Sequence, residues 1–397
     1  MANFLIRRIL AMIVMFLIIT FVAYNVLSLA PGGPLQELQQ QQQNNANRLD
    51  AFAFERVMVR YEFDIDLIPR YTRWLMGQPD GPLNLFGQEM FGATQVGCLR
   101  KGETIFKYPD GRVVVSDCEV PVYLNDLKGR AVSKGILALD FGTSQGVLRG
   151  RPVSEVLNSR IGLTLLLQGI SSMLALAIAV PLGIYTAVKQ YSKLDYATTT
   201  VAFLGSSLPS LFWGLMGLLV FAVLFKQWGL PYFPAGTFVS NTPQTVPLIG
   251  VIEPESFADR AWHLILPILI LTFVSLSGWI RYIRASVLEV LKQDYVRTAR
   301  AKGLSERAVI LKHAVRNALI PFITLVVTIL PGLVAGAIIT ETIFSLPGVG
   351  NLLVAAIYGS DYNVAMAVLL LSVVLTLIAY VLADILYTVA DPRIRLR

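Results

Sequence analysis

Six long apolar runs constrain this chain more than any other feature. They cover residues 9–30, 161–188, 196–225, 262–280, 317–341 and 364–390. Each is long enough to cross a hydrocarbon core of roughly 30 Å as a helix. Within lipid the backbone must satisfy its own polar groups, so each run is predicted to be helical. Hydrophobic residues make up 55% of the 397 positions and charged residues only 15%. The chain therefore reads as an all-α polytopic membrane protein. Arg7 and Arg8 precede the first run, which is longer than the apolar region of a cleaved signal peptide and is read as a retained span. Pro181, Pro209, Pro267 and Pro331 fall inside later runs, where neighbouring helices can satisfy the freed backbone groups. Kinked helices around a pathway and ordinary close packing are both open readings of them.

The basic residues give an orientation. The N-terminus carries Arg7 and Arg8, the turn near Tyr191 carries Lys189 and Lys193, the loop after Ile280 carries nine, and the tail carries Arg393, Arg395 and Arg397. Lys226 and Arg260 follow the third run, on the opposite side. The positive-inside rule then predicts that both termini and the loop after Ile280 are cytoplasmic. The net charge of +7 follows this topology, so no nucleic-acid partner is inferred from it.

Several chemistries lack their residues. The sequence contains no G-x-x-x-x-G-K-[ST] phosphate loop, so ATP hydrolysis is not expected of this chain. His263 and His313 are far apart and the two cysteines are not grouped with them, so neither a metal site nor a bound cofactor is expected. No catalytic residues are assigned. Glu341 and Asp384 are the ionisable groups most nearly inside apolar runs, and such groups are functional candidates by default. Glu341 sits at the outer end of the fifth run, facing a vestibule or the interface. Asp384 is expected to pair with a basic residue near Asp391-Pro392-Arg393. A role in assembly is favoured for both over substrate contact.

The densest basic segment, DYVRTARAKGLSERAVILKHAVRNALIP from Asp294 to Pro321, is too polar for a bilayer. Residues 289–302 are rich in helix formers, Gly303 ends that helix, and Ser305 and Glu306 suit the start of a second one that runs to Arg316. This helix, glycine turn, helix arrangement resembles the EAA loop of ABC-importer permeases, in the variant of the dipeptide/oligopeptide group. The general pattern reads Glu-Ala-Ala, three residues, Gly, nine residues, Ile, one residue, Leu-Pro. Ala299 and Gly303 are retained, whereas Arg297 and Thr298 stand for Glu-Ala, and His313, Val315 and Arg316 stand for Ile and Leu-Pro. The departure removes the glutamate contact that the general pattern would imply. QWGLPYFPAGTF, WHLILP, ETIFSLPGVGNLL and the ending DPRIRL are similar to further landmarks of the family.

The resemblance implies the type I ABC-importer permease fold with six transmembrane helices. It further implies a second homologous permease, two ATPase subunits that bind ATP and Mg, and an extracytoplasmic substrate-binding protein. Coupling to the ATPases would fall to residues 289–316, with Asp294, Tyr295, Arg297, Thr298, Ala299, Arg300, Lys302 and Gly303 at the contact. Import of di- or oligopeptides is the implied function. Nickel complexes, glutathione or oligosaccharides are other cargoes within the family, and a stand-alone secondary transporter is the reading from a different class.

Residues 31–160 form a long polar excursion between the first span (1–30) and the five-helix core (161–397). The Gln- and Asn-rich segment at its start is either a linker or the beginning of a helix, with helix favoured after Asn47. IPRYTRWLMG (68–77) and LDFGTSQGVLRGRPVSEVLNSR (139–160) resemble pieces that are adjacent in ordinary peptide permeases. A small extracytoplasmic module of about residues 78–138 is therefore read as inserted between them. Within it, ETIFKYPDGRVVVSD predicts a β-hairpin around Pro109-Asp110-Gly111. Cys98 and Cys118 flank that hairpin on the oxidising side, and a disulfide between them is expected.

Overall fold

The computed structural model describes residues 2–29, 53–85, 88–107, 113–130, 133–335 and 337–390. Among them, six helical segments are long and apolar enough to cross a membrane: Ile6–Ser28, Val153–Val188, Ser210–Gln227, Phe257–Leu291, Phe322–Ile343 and Tyr362–Thr388. The chain forms two compact units. One comprises Met1–Phe16, Ser159–Val354 and Leu370–Arg397, the other Leu17–Asn158 and Ala355–Leu369. The Gln-rich segment, the turn Pro109-Asp110-Gly111, Gly336 and the ending DPRIRL lie outside the described residues.

The first unit is organised by a 35-residue helix. In chain order the helices outside the polar excursion are α1 (Ala2–Leu29), α4 (Val153–Val188), α5 (Lys193–Ser207), α6 (Ser210–Gln227), α7 (Phe257–Leu291), α8 (Asp294–Ala301), α9 (Arg316–Ala335), α10 (Ile338–Ile343), α11 (Val349–Tyr358) and α12 (Tyr362–Ala390). The long helix α7 buries Ile280, Ile283 and Val287 against Ala179 and Ala187 of α4 and Ala318 of α9. Nearer its start, Leu264, Leu266, Ile270 and Leu271 pack with Leu167 of α4, Phe344 and Leu346. Small residues allow this closeness: a Cβ on Gly205 of α5 would stand 2.0 Å from the Ser277 hydroxyl of α7.

The expected single span over 196–225 is in fact two helices. Leu208 is extended (φ −113°, ψ 144°) between α5 and α6, because a residue before proline is pushed out of the helical region. Pro209 has no N–H to donate to the carbonyl of Gly205, and the indole Nε1 of Trp213 donates to it instead at 3.0 Å. Pro181 and Pro267, by contrast, lie within continuous helices. Helix α6 contains a π-helical stretch, Leu218–Leu224.

The second unit holds the polar excursion. Helices α2 (Ala53–Arg60) and α3 (Leu67–Met76) are followed by two antiparallel hairpins, β1–β2 (Leu83–Leu85, Gln88–Met90) and β3–β4 (Gln95–Lys107, Val113–Tyr123). Tyr71 packs edge-on and Trp74 tilted against Tyr24 of α1, and the Tyr71 hydroxyl lies 2.9 Å from that of Thr20. The larger hairpin packs Val96 and Val122 with Ile65, Leu124 and Leu127. Strand β3 approaches residues 64–66 so closely that a Cβ on Gly97 would meet the Asp64 carbonyl at 2.0 Å. Backbones at Gly77 and Gly135 also touch, since a Cβ on Gly135 would lie 2.4 Å from the Gly77 nitrogen.

Cys98 and Cys118 are joined by a disulfide, with their Cα atoms 5.8 Å apart. They are not directly opposed: Lys101 faces Cys118, and the ladder shifts register between Cys98 and Arg100 and again before Lys101. The bulged strand brings the two sulfurs together. Unreduced protein is expected to contain no reactive thiol by mass spectrometry after alkylation. Replacing both cysteines by serine should cost the module up to about 3 kcal/mol and speed limited proteolysis within β3–β4.

Candidate functional site

Helix α7 ends at Leu291 and the chain turns at Gln293, whose backbone is extended (φ −70°, ψ 148°), before α8 begins. Asp294 in the first turn of α8 and Arg300 in the last both complement the helix dipole. The helix is strongly amphipathic. Val296 and Ala299 are buried with Val309, against Val290 and Leu291 at the end of α7. This small apolar pin holds α8 to the helices on either side of it.

The remaining candidate residues face outward. Asp294, Tyr295, Arg297, Thr298, Arg300, Lys302 and Gly303 are all exposed. Ala299 is buried, so its part in the loop is packing. Gly303 adopts φ +76° with open space around it. Glycine is needed there for the left-handed conformation that ends α8.

A clamp spans this turn. The Arg300 Nε and Nη2 donate to the two Glu306 carboxylate oxygens at 3.1 and 2.7 Å. The guanidinium holds the Glu306 carboxyl below its usual range, and the carboxylate raises Arg300. Tyr295 shares a hydrogen bond with Asn317, tying α8 to the first turn of α9. Ser305 precedes the second helical segment without a side-chain cap. That segment does not stop at Arg316 as expected: Glu306–Ala308, a π-helical stretch Val309–Val315 and α9 follow one another directly. The basic loop is thus a short helix between the ends of two membrane-length ones.

The two charges near the apolar runs have different surroundings. Glu341 is fully buried and faces neither a vestibule nor the interface. Its Oε1 accepts from the Thr164 hydroxyl at 2.6 Å and its Oε2 from the Asn351 N–H at 2.9 Å, while Val349 N–H donates to Thr164 at 2.8 Å. A Cβ on Gly348 would stand 2.2 Å from the Glu341 carboxyl carbon. This knot satisfies the chain as it leaves α10 and enters α11. Asp384 pairs with Arg8 of α1 at 2.6 Å; the basic residue expected for it near Asp391-Pro392-Arg393 lies outside the described residues.

Sequence reasoning missed three further carboxylates. Asp195 pairs with Arg284 of α7 (2.8 and 3.0 Å) and accepts from Tyr191 N–H; the guanidinium contact, first, holds its pKa down. Asp259 accepts from the Ser240 hydroxyl and N–H and from Glu255 N–H. Asp361 accepts from the Ser144 hydroxyl and the N–H groups of Gln145, Gly146 and Val147. The signals were local: Ser192 and Ser256 each cap a helix by accepting from the aspartate three residues on, and Asp361 precedes α12 as a good N-cap residue.

The fold and this exposed basic turn define a polytopic membrane protein that presents a short amphipathic helix, pinned between two long helices, for contact outside the bilayer. The family model described as "Binding-protein-dependent transport system inner membrane component" matches residues 179–396. The chain belongs to this family and is a multi-pass inner-membrane protein. It is 41% identical over 256 residues to the oligopeptide transport system permease protein AppB of Bacillus subtilis, covering 64% of this chain and 76% of that one. It is 37% identical over 273 residues to the dipeptide transport system permease protein DppB of Escherichia coli, covering 66% and 78%. A third relative, the oligopeptide transport system permease protein OppB of Mycobacterium bovis, is 38% identical over 258 residues, covering 64% and 76%. Among solved structures, an inward-facing MetNI methionine ABC transporter aligns with a TM-score of 0.44 at 16% identity, over 60% of this chain and 97% of that one.

The Arg300–Glu306 clamp is exposed and is worth about 0.2–1 kcal/mol. Glu306 has a lowered folded pKa, so the clamp is complete above the unfolded carboxyl value of about 4.3 and is lost as pH falls through the lower folded value. At neutral pH, Glu306→Gln should therefore speed amide exchange at Gly303 and Leu304 a fewfold, with exchange in α7 unchanged.

Proposed function

We propose that this chain is the channel-forming subunit of an ATP-driven importer for di- or oligopeptides. It pairs with a second, homologous permease to enclose the pathway, and ATP and Mg are bound by two partner ATPase subunits. An extracytoplasmic binding protein delivers the cargo. The observation that carries the reading is α8: a short helix, apolar on the face that touches its own chain and charged on the other, set between α7 and α9. Peptide cargo is supported by the relatives, which are oligopeptide and dipeptide permeases.

On this reading both termini and α8 are cytoplasmic, as the distribution of Lys and Arg requires. Movement of an ATPase against Tyr295, Arg297, Arg300 and Lys302 is passed through the Val296–Ala299–Val309 pin to α7 and α9. The ends of the module, brought together at Gly77 and Gly135, support residues 78–138 as an insertion, since an insertion needs its two ends close. That module lies on the binding-protein side.

Gly303→Val tests the coupling. A β-branched residue at φ +76° is strained, so substrate-stimulated ATPase activity in the reconstituted complex should fall at least tenfold while the complex still assembles. Unchanged stimulation would remove α8 from the coupling path.

A further inference from the structure

Arg70 of α3 is a cation without a counter-ion. It is 8% exposed, and its guanidinium lies 5.6 Å from the ring centre of Tyr24 and 5.1 Å from that of Phe63. Tyr24 also hydrogen-bonds to it, but its Nε has no partner. Among the described residues no carboxylate reaches it. Glu62 holds Arg73 at 2.8 Å, one oxygen of Asp64 holds Arg130 at 2.8 Å, and Asp140 accepts from the N–H groups of Lys134 and Gly142, while Asp66, one turn before Arg70, is exposed. Cation–π contacts offset only part of the cost of burying a charge.

Arg70 lines a cleft of about 100 Å³ within the second unit. Aromatic rings of Tyr61, Trp74 and Tyr362 form part of its wall, and Gln145 and Asn363 contribute amides. The Oε1 of Gln145 is buried without a hydrogen-bond partner. An unpaired cation and an unpaired acceptor in one small cleft call for a ligand with a carboxylate next to an N–H. The terminal residue of a peptide has that pair of groups, and the volume suits one small residue, well below the hundreds of Å³ that enclose a whole drug-sized ligand.

We propose that this cleft binds the C-terminal carboxylate of a peptide, with Arg70 as the cation and Gln145 receiving the adjacent amide N–H. The inference rests on the peptide-import reading for the identity of the ligand. The carboxylate chemistry itself does not depend on it. Tyr24 and Tyr362 lie at the ends of α1 and α12 that the proposed orientation sets outside, so the cleft would receive a peptide before it is moved.

The test is calorimetric titration of the full-length chain in nanodiscs with N-acetylalanine and with its neutral isostere, N-acetylalaninamide. Saturable binding of the acid, at least tenfold tighter than the amide, is expected, and Arg70→Gln should abolish the difference while Arg70→Lys retains part of it. Equal heats for acid and amide, or no binding of either, would overturn the proposal on the wild-type protein alone, whether or not the variants fold. A complex that binds the acid selectively yet imports no peptide would instead overturn the import reading and leave the site standing.

Discussion

A backbone inside hydrocarbon has no water to hydrogen-bond, and the rest of this structure follows from that constraint. Helices satisfy it along their lengths, so the difficulty is concentrated where they end or break. Three such places are closed by particular side chains. At the break before Pro209, Trp213 donates to the carbonyl that proline cannot serve. After α10, Glu341 and Thr164 receive the donors of residues 349–351. Ahead of α12, the carboxylate of Asp361 collects three successive backbone N–H groups and a hydroxyl from residues 144–147. The buried acids of this chain thus act mainly as acceptors for loop backbone, which is the least costly way to keep a charge out of water.

The same constraint shapes the exposed turn. Outside lipid the chain can break its helix, and it does so twice in quick succession, at Gln293 and at Gly303. What remains between the breaks is too short to be stable alone, so it depends on Val296 and Ala299 packing against Val309. On the proposed reading, this dependence would let a load on the charged face of α8 pass by an apolar route to the ends of two long helices. Rigid-body movement of packed helices is an ordinary way for a bilayer protein to switch access.

Much of this was legible in advance. Long apolar runs, the excursion, the hairpin flanked by two cysteines and the glycine turn are all local patterns with one dominant physical reading. The break at Leu208–Pro209 was harder, because proline is tolerated within α4 and α7 and only the neighbouring indole, eight residues from the carbonyl it serves, distinguishes this site. Ala299 matched a motif position, and its burial was not legible from the motif. Asp384 took Arg8 as its partner across almost the whole sequence, which no spacing rule can foresee. Arg70 carries no sequence signal of its own, and only its burial between the rings of Tyr24 and Phe63 sets it apart from the other basic residues of the excursion.

The central claim is that this chain receives its driving force through α8 from a separate ATPase. A cysteine placed at Arg297, in a chain whose two native cysteines are already paired, allows site-specific crosslinking in native membranes followed by mass spectrometry of the product. The account predicts one dominant adduct with an ATP-binding subunit, diminished when nucleotide is removed. An Arg297 position that crosslinks to no ATPase, in membranes that still import peptide on addition of ATP, would contradict it.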